Sequence, residues 1–266
     1  MPLFFYLASF DINTVQNLYK KSAYMLETIK LPSILFLDVE TVSGKATFSK
    51  LNKDMQKLWE TKAEQIYRRT GEVPSPKESY IEKAGIFAEF GKIVCISVGF
   101  ISQEKDGEMH FRLKSFYSDD EAVLLTDFAK LLQSTPRFTY LCGHNIKEFD
   151  IPYICRRMVI NQLAMPGKLQ IHGKKPWELN HFLDTLELWK FGDYKNYTSL
   201  NVLCNIFGVP TPKDDMDGSQ VGKAYWKDKA LDKIAEYCQK DVLATAQVFL
   251  KFVRKDLIKE EHVHVA

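Results

Sequence analysis

The sequence contains no apolar run of the about 20 residues that a membrane-spanning helix requires. Its opening segment, residues 1–7, is apolar but short, and it lacks the basic start and the small-residue cleavage site of a secretory signal. We therefore expect a cytoplasmic protein with no membrane partner.

Paired cysteines and a strong net charge are also missing. The five cysteines are scattered and form no CxxC pair, which argues against a zinc ribbon and against a disulfide framework. The formal net charge is only +2, so a nucleic-acid partner would have to be attracted by a local basic surface. No Walker phosphate loop is present, which argues against ATP-driven unwinding.

The spacing of apolar residues changes repeatedly between strand-like and helix-like periods. Hydrophobic residues make up 45% of the 266 residues, enough for a sizeable core. The patterns predict strands over 34–42, 93–101, 109–116, 138–142 and 182–185, and helices over 1–30, 50–70, 78–87, 119–133, 150–160, 198–207 and 231–255. Three successive strands followed by alternating helices and strands indicate an α/β fold, in which a mixed central β-sheet is flanked by helices.

Two carboxylates lie at the end of the first predicted strand. Asp38 and Glu40 are two residues apart, so in a strand both side chains project from the same face. Adjacent carboxylates repel each other, and such a pair is costly unless a cation neutralises it. Strand ends are where α/β sheets place their ligands, although a solvated strand end explains the pair equally well when it is taken alone.

A third acid follows the strand predicted over 138–142. Gly143 permits a tight exit from the sheet, and Asp150 falls at the start of the next predicted helix. Asp150 is either an ordinary helix N-cap, which contributes about 1 kcal/mol, or a further member of an acidic site.

A tyrosine and a fourth acid lie on the last predicted helix. Tyr237 and Asp241 are four residues apart and therefore share one helix face. Asp241 falls within the apolar stripe of that helix, where an unpaired carboxylate is costly, so that a metal ion or a buried salt bridge is expected. The acids considered so far offer only oxygen ligands, which suits hard cations such as Mg²⁺ or Mn²⁺.

These residues resemble, in the same order, the three exonuclease motifs of the DEDD superfamily, whose members have a ribonuclease H-like fold. Asp38-Val39-Glu40 is similar to the first motif, Asn145 through Phe149-Asp150 to the second, and Tyr237 through Asp241 to the third. Tyrosine at position 237 is typical of the branch that includes the proofreading domains of family A and family B DNA polymerases. The segment from 183–185 to 217–221 further resembles stand-alone 3′-5′ exonucleases similar to the family B domain.

The resemblance implies a catalytic role for five residues. Asp38, Glu40, Asp150 and Asp241 would bind two divalent cations, Mg²⁺ or Mn²⁺, roughly 3.5–4 Å apart. Tyr237 would hydrogen-bond the attacking water and orient it, because its ordinary pKa of about 10 makes it a poor base. The expected reaction is hydrolysis of the terminal phosphodiester at the 3′ end of single-stranded DNA or RNA, with DNA favoured, which releases a nucleoside 5′-monophosphate.

The resemblance also implies contacts with the terminal nucleotides for Thr41, His144, Asn145 and Phe149. Turn stabilisation for Asn145 and core packing for Phe149 are open alternatives. Asp184, at the end of a predicted strand, either holds a metal ligand in place or caps a helix.

The resemblance begins near residue 25 and ends near residue 255. We therefore expect an exonuclease domain over 25–256 and a flexible tail over 257–266. The N-terminal extension over 1–24 is expected either to come from an upstream start or to form a dispensable helix. Residues 41–90 depart most from the family pattern, and their lysines either guide a nucleic-acid strand or form a solvated helix face.

Two other functions fit part of the pattern. An aspartate-nucleophile phosphatase also places acids at the end of its first strand, but it requires two aspartates there, which Asp38-Val39-Glu40 does not supply. A non-catalytic nucleic-acid-binding module on the same fold is the second alternative, and it is disfavoured because all five motif residues are present. No feature of the sequence identifies a protein partner.

Overall fold

A computed structural model of the protein describes residues 25–68, 71, 74–105, 107–193, 195, 197–210 and 216–266. Most of the helix expected over 1–30 lies outside the described residues, as does the proposed extension over 1–24; Met25–Thr28 form a 3₁₀ turn. Within the described ranges, every helix is too short or too polar to cross a bilayer.

A six-stranded sheet runs through the described part of the chain. Its strands are β1 (Ile34–Ser43), β2 (Gly91–Gln103), β3 (Met109–Tyr117), β4 (Tyr140–Gly143), β5 (Phe182–Asp184) and β6 (Val263–Val265). They lie in the order β5-β4-β1-β2-β3-β6. β1, β2 and β3 form an antiparallel meander, whereas β4 pairs with β1, and β5 with β4, in parallel. This mixed sheet has the strand order and directions of a ribonuclease H-like fold, which confirms the expected fold class.

α-Helices pack on both faces of the sheet. In chain order they are α1 (Lys53–Tyr67), α2 (Pro76–Lys83), α3 (Glu121–Ser134), α4 (Asp150–Ile160), α5 (Thr185–Lys190), α6 (Leu200–Phe207), α7 (Val221–Trp226) and α8 (Leu231–Phe252). Six of them correspond to predicted helices, with ends that differ by a few residues. α5 and α7 were not predicted, because six residues are too few to reveal a helical period. Asp120 caps α3, where its carboxylate accepts a hydrogen bond from the Ala122 amide at 2.9 Å.

The side chains of β1 alternate between two cores. Ile34 and Phe36 pack with apolar residues of α8. Leu35, Leu37 and Val39 face the other way and join the larger core formed with α3 and α4. Because both faces of the strand are covered, its first four residues, 34–37, form a continuous apolar run before the acidic pair. By the same alternation, the side chains of Asp38 and Glu40 project from the face that Ile34 and Phe36 share, toward α8.

The chain between β1 and β2 forms a separate helical insert, residues 44–90. Ser43 and Gly91 are paired in the β1–β2 ladder, so the insert leaves the sheet and returns to the same place. The insert has its own small core around Trp59 and Tyr80, whose rings meet edge to face with centroids 5.3 Å apart. One face of α1 is therefore buried in this core, with Trp59 completely buried.

The segment expected to be a flexible tail forms secondary structure along the edge of the sheet. Glu260–His262 form a 3₁₀ turn, and β6 pairs in parallel with β3. The backbone of Ile258 is held to α8 by two hydrogen bonds with the Gln247 side chain, each of 2.9 Å. Part of the segment expected to be a flexible tail thus has regular secondary structure, which the sequence pattern does not predict because a three-residue strand shows no period.

Candidate functional site

Asp38 and Glu40 lie in the second half of β1, which continues to Ser43 rather than ending at the acidic pair as expected, and their side chains face α8. Each offers an oxygen atom within 4.8 Å of the other and of the Cys238 sulfur on that helix. The register of the β1–β2 ladder shifts between Glu40 and Thr41, so a bulge follows the acidic pair directly. The extra residue is Val94 on β2, which has no pairing partner between Cys95 and Ile93, and regular pairing resumes from Thr41 to Ser43.

Asp150 is the first residue of α4, and only 3% of it is exposed. Phe149 precedes the helix as its N-cap residue and makes no side-chain cap, so the N-cap interpretation of Asp150 is wrong. The Asp150 carboxyl instead shares a hydrogen bond with the backbone of Val39 in β1. Helix α4 thus brings the third carboxylate to the strand that carries the first two.

A tight turn between β4 and α4 determines the position of Asp150. Gly143 has no room for a side chain, because a Cβ atom there would lie 2.8 Å from Ile146 and 3.0 Å from the Leu37 carbonyl oxygen. Asn145 has a left-handed backbone with φ of 64°, a conformation in which asparagine is enriched among non-glycine residues. Its carbonyl oxygen accepts from two amides of the same turn, at 3.2 and 3.0 Å. Asn145 therefore stabilises the turn.

Asp184 connects this turn to the end of β5. Its carboxylate accepts from the backbone amides of Asn145 at 2.9 Å and Lys147 at 3.1 Å. It also caps α5, because it accepts from two amides in the first turn of that helix. Asp184 is thus a helix cap that also holds the turn leading to Asp150.

Tyr237 and Asp241 lie one turn apart on α8, and their side chains share a hydrogen bond. Burial is the largest cause that raises the pKa of the Tyr237 phenol, followed by the charges of Asp241 and Glu40. The phenol therefore keeps its proton at neutral pH. In this state it can donate a hydrogen bond, and it cannot act as a base.

The four carboxylates affect one another electrostatically. Burial is the largest cause that raises the pKa of Asp38, and the next causes are the charges of Asp150, Glu40 and Asp241. Burial, followed by the charge of Asp241, raises the pKa of Glu40. Burial also raises the pKa of Asp150 from its ordinary 3.8 to about 7. Carboxylates that perturb one another in this way must be close in space, so the structure brings together acids from β1, α4 and α8.

The chemistry of this donor set fits a hard divalent cation. Carboxylate oxygens are the ligands that Mg²⁺ and Mn²⁺ prefer in proteins. A positive ion among the four acids would offset the repulsion that raises their pKa values. The cluster is therefore a candidate metal site.

The Cys238 thiol touches the cluster, and sequence reasoning missed it. Its sulfur lies 3.4 Å from the Asp38 carbonyl oxygen and 3.5 Å from Asp38 Oδ2, with the thiol as donor. The available signal was its place in the helix, directly after Tyr237 and on the side that faces the sheet. A buried cysteine at such a position is more often a packing residue, so the pattern alone does not reveal the contact.

A cavity of about 390 Å³ opens beside the carboxylates. Helix α8 contributes Tyr237 and Asp241 to its lining, and β1 contributes Asp38. The turn after β4 contributes His144, and the segment before α6 contributes Tyr197. The cavity therefore joins parts of the chain that are far apart in sequence.

His144 is fixed by two hydrogen bonds. Its Nδ1 lies 2.9 Å from the Thr185 hydroxyl, and its Nε2 lies 2.9 Å from the Thr198 carbonyl oxygen. Burial lowers the pKa of His144, which favours the neutral ring at neutral pH. The ring is thus a rigid, uncharged part of the cavity wall.

Phe149 and Thr41 lie outside the lining of the cavity within the described residues. Phe149 is half-buried against the larger core, with its ring centroid 5.4 Å from that of Tyr153. Tyr153 donates to the Gly85 carbonyl oxygen at 2.8 Å and shares a hydrogen bond with the Thr41 side chain. Contacts of Phe149 and Thr41 with a nucleotide stay predictions.

Comparison with known proteins adds a family relationship. The model of a family described as "Predicted 3'-5' exonuclease related to the exonuclease domain of PolB" matches residues 86–264. That range contains Asp150, Tyr237 and Asp241 but begins after β1. A solved structure of the family B DNA polymerase from the hyperthermophilic archaeon Pyrobaculum calidifontis is similar over 83% of this chain, with 14% identity and a TM-score of 0.44. The chain spans 24% of that polymerase chain. None of the curated proteins matches the sequence significantly.

Proposed function

Because the chain belongs to the family of predicted 3′-5′ exonucleases related to the exonuclease domain of PolB, we propose that it removes nucleotides from the 3′ end of single-stranded nucleic acid with the help of divalent cations. DNA is the favoured substrate and RNA the alternative. One observation carries the proposal. Four carboxylates from three separate elements lie close together beside Tyr237, and two of them, Asp38 and Asp241, line a cavity that a substrate can enter.

Asp38, Glu40, Asp150 and Asp241 would hold two cations of the Mg²⁺ or Mn²⁺ class. The chemistry that such a pair supplies is activation of a water molecule and stabilisation of the charge on the leaving 3′ oxygen. The protein keeps the four acids close in spite of their repulsion. The backbone of Val39 bonds to Asp150, and the hydrogen bonds of Asp184 hold the turn that carries it.

The reaction consumes one water molecule for each nucleotide released. The water oxygen bonds to the terminal phosphorus, and the bond from phosphorus to the 3′ oxygen of the preceding nucleotide breaks. One proton of the water is lost to the solvent, and the departing 3′ oxygen takes up a proton. The products are a nucleoside 5′-monophosphate and a strand that ends in a new 3′-hydroxyl group.

Tyr237 would orient the water rather than deprotonate it. Its raised pKa keeps the phenol neutral, and its hydrogen bond with Asp241 places the hydroxyl group beside the carboxylates. A donor in that position can hold the water in line with the bond that breaks, which lowers the entropy cost of reaching the transition state.

A trimming assay tests the proposal. The substrates are single-stranded DNA and single-stranded RNA labelled at the 5′ end, with Mg²⁺ or Mn²⁺ present. We expect a ladder of products shortened from the 3′ end, which a chelator stops and which Asp38→Asn or Asp241→Ala abolishes. Asp127→Asn is the matched control, because Asp127 lies on α3 in an exposed pair with Lys130.

The other outcomes of the assay separate the rival functions. Equal trimming by the wild type and by both site variants would show that a contaminant or another site is responsible. Binding of single strands without any trimming would support a non-catalytic binding module. Loss of the label as a single early product would indicate attack from the 5′ end and would contradict the proposed polarity.

A further inference from the structure

Tyr197 is an exposed aromatic residue at the candidate site. Its relative exposure is 67%, yet it lines the same cavity as Asp38, Tyr237 and Asp241. An exposed ring of this size gains nothing from the core of the protein. The faces of the Tyr197 ring are therefore accessible to a ligand that enters the cavity.

The ring is held in place from one side. It meets the His144 ring edge to face, with centroids 6.4 Å apart. His144 is itself fixed by Thr185 and by the carbonyl oxygen of Thr198, the residue that follows Tyr197. A ring that is already positioned loses little entropy when a ligand stacks on it, so it can bind more tightly than a mobile one.

The hydroxyl end of Tyr197 lies within the electrostatic influence of the acidic site. After burial, the charges of Asp150 and Asp184 are the causes that raise the pKa of its phenol. The side chain therefore extends near the carboxylate cluster, while most of its ring surface stays accessible. A ligand could contact this ring and the carboxylates at the same time.

We propose that the Tyr197 ring is the stacking surface for the base of the 3′-terminal nucleotide, whose phosphate lies at the carboxylates. The inference rests on the proposed function and names a residue that positions its substrate. Every base has a π face, so an aromatic ring supports all four bases without reading their sequence. A cavity of about 390 Å³ is within the size range of ordinary ligand sites and is large enough for a single nucleotide.

Phe191 provides a matched control. It is exposed to a similar degree, 75%, and it also lies between β5 and α6. However, it is absent from the described lining of the cavity. Loss of its ring should therefore leave strand binding unchanged, which separates a general loss of exposed aromatic surface from an effect at Tyr197.

A binding measurement tests the stacking directly. The probe is a short single-stranded DNA oligonucleotide with 2-aminopurine at its 3′ end, whose fluorescence is quenched when the base stacks. Ca²⁺ replaces Mg²⁺ to slow cleavage, and the full-length protein is used. We expect the wild type to quench the probe, and Tyr197→Leu to lose the quenching and to bind about tenfold more weakly. Tyr197→Phe, which keeps the ring, should rescue both signals, and Phe191→Leu should resemble the wild type.

A second oligonucleotide with an abasic 3′ terminus completes a double-mutant cycle. If the base stacks on Tyr197, removal of the base weakens wild-type binding about tenfold but weakens Tyr197→Leu much less. Equal losses in the two proteins, or quenching that survives Tyr197→Leu, would overturn the inference. A melting curve for each variant shows whether unfolding accounts for weaker binding. If Tyr197→Leu is unfolded, the stacking is tested instead by Tyr197→Phe and by binding of the abasic probe to the wild type.

Trimming by the same proteins keeps the two proposals distinguishable. If the wild type trims in Mg²⁺ and Asp241→Ala does not, the proposed function stands, and Tyr197→Leu should increase KM more than it lowers kcat. An unchanged KM would overturn the role of Tyr197 and leave the nuclease proposal intact. If the wild type binds the probe but never trims, the proposed function fails, while the fluorescence results still support or overturn the stacking.

Discussion

The Cys238 thiol on α8 donates a hydrogen bond to Asp38 on β1, with the sulfur 3.5 Å from Oδ2 and 3.4 Å from the carbonyl oxygen. This contact connects the helix that carries Tyr237 and Asp241 to the strand that carries the first acidic pair. This hydrogen bond lowers the pKa of Asp38, whereas burial and the charges of three neighbouring acids raise it. We infer that Cys238 helps to orient the Asp38 carboxylate.

Cys238→Val should weaken metal binding by up to about tenfold, because it removes the donor and keeps a small apolar side chain. Cys238→Ser keeps a hydroxyl donor and should bind metal more nearly like the wild type. Mn²⁺ binding, followed by electron paramagnetic resonance, measures the effect without any need for activity. Equal affinity of the valine and serine variants would show that the thiol only packs.

Tyr237→Phe should lower kcat by at least about tenfold and leave Mn²⁺ affinity nearly unchanged. The variant keeps the ring but loses the donor hydroxyl, which we expect to orient the water. Single-turnover trimming at saturating substrate gives the rate of the chemical step. A rate equal to that of the wild type would remove the proposed role of Tyr237.

Asp38→Asn should stabilise the protein in the presence of a chelator while it abolishes trimming. Burial and three neighbouring acids raise the pKa of Asp38, which means that its ionised form is unfavourable in the folded protein. A neutral amide removes this cost, and we expect a gain on the order of 1–3 kcal/mol in the free energy of unfolding at neutral pH. Denaturant titration measures the gain, with Asp127→Asn as the exposed control. A less stable variant would contradict the prediction.

The stability of the chelated protein should decrease as the pH rises from about 4 to about 7. Asp150 has an ordinary pKa of 3.8, and burial raises its pKa to about 7 in the folded protein. Between these values the folded state binds more protons than the unfolded state, so a rise in pH favours unfolding, and the effect of Asp150 is complete above the folded value. Asp38 and Glu40 act in the same direction.

Asp150→Asn removes the titration of this carboxyl group and so isolates its contribution to the pH dependence of the free energy of unfolding. The free energy of unfolding, measured at several pH values in a chelator, should decrease less steeply for this variant than for the wild type. Parallel pH profiles for the two proteins would show that Asp150 does not titrate in this range. Saturating Mn²⁺ should reduce the pH dependence of the wild type, because a cation favours the ionised carboxylates.

Arg157→Met should destabilise the fold by about 3–5 kcal/mol, because it leaves a buried carboxylate without its partner. Glu121 accepts from Arg157 Nε at 2.8 Å, from the Ile93 amide at 2.7 Å and from Asn161 at 2.9 Å. Thermal unfolding measures the effect. Lys130→Met, which breaks an exposed pair on the same helix as Glu121, should cost less than about 1 kcal/mol. Similar losses in the two variants would contradict the argument.

The long elements and the acidic positions could be predicted from the sequence for physical reasons. β1 is covered on both faces, so its apolar run is continuous, and α8 spans enough turns to show a helical period. The convergence of Asp38, Asp150 and Asp241 was expected only through the resemblance to a family. Spacing along the chain does not determine how distant elements approach each other.

Features that depend on tertiary contacts could not be predicted. β6 is a strand only because the edge of β3 is available to it, and α5 and α7 are too short to show a period. The contact of Cys238 with Asp38 and the position of Tyr197 beside His144 arise between segments that are distant in sequence. Such contacts become visible only when the chain is folded.

The pairing of Ser43 with Gly91 means that the sheet closes in the same register whatever lies between these residues. Lengthening a loop is thermodynamically inexpensive, since each doubling of its length costs about 0.6 kcal/mol. The insert over residues 44–90 is in addition stabilised by a core of its own. The length of this helical insert can therefore change without moving the strand that carries the acidic pair.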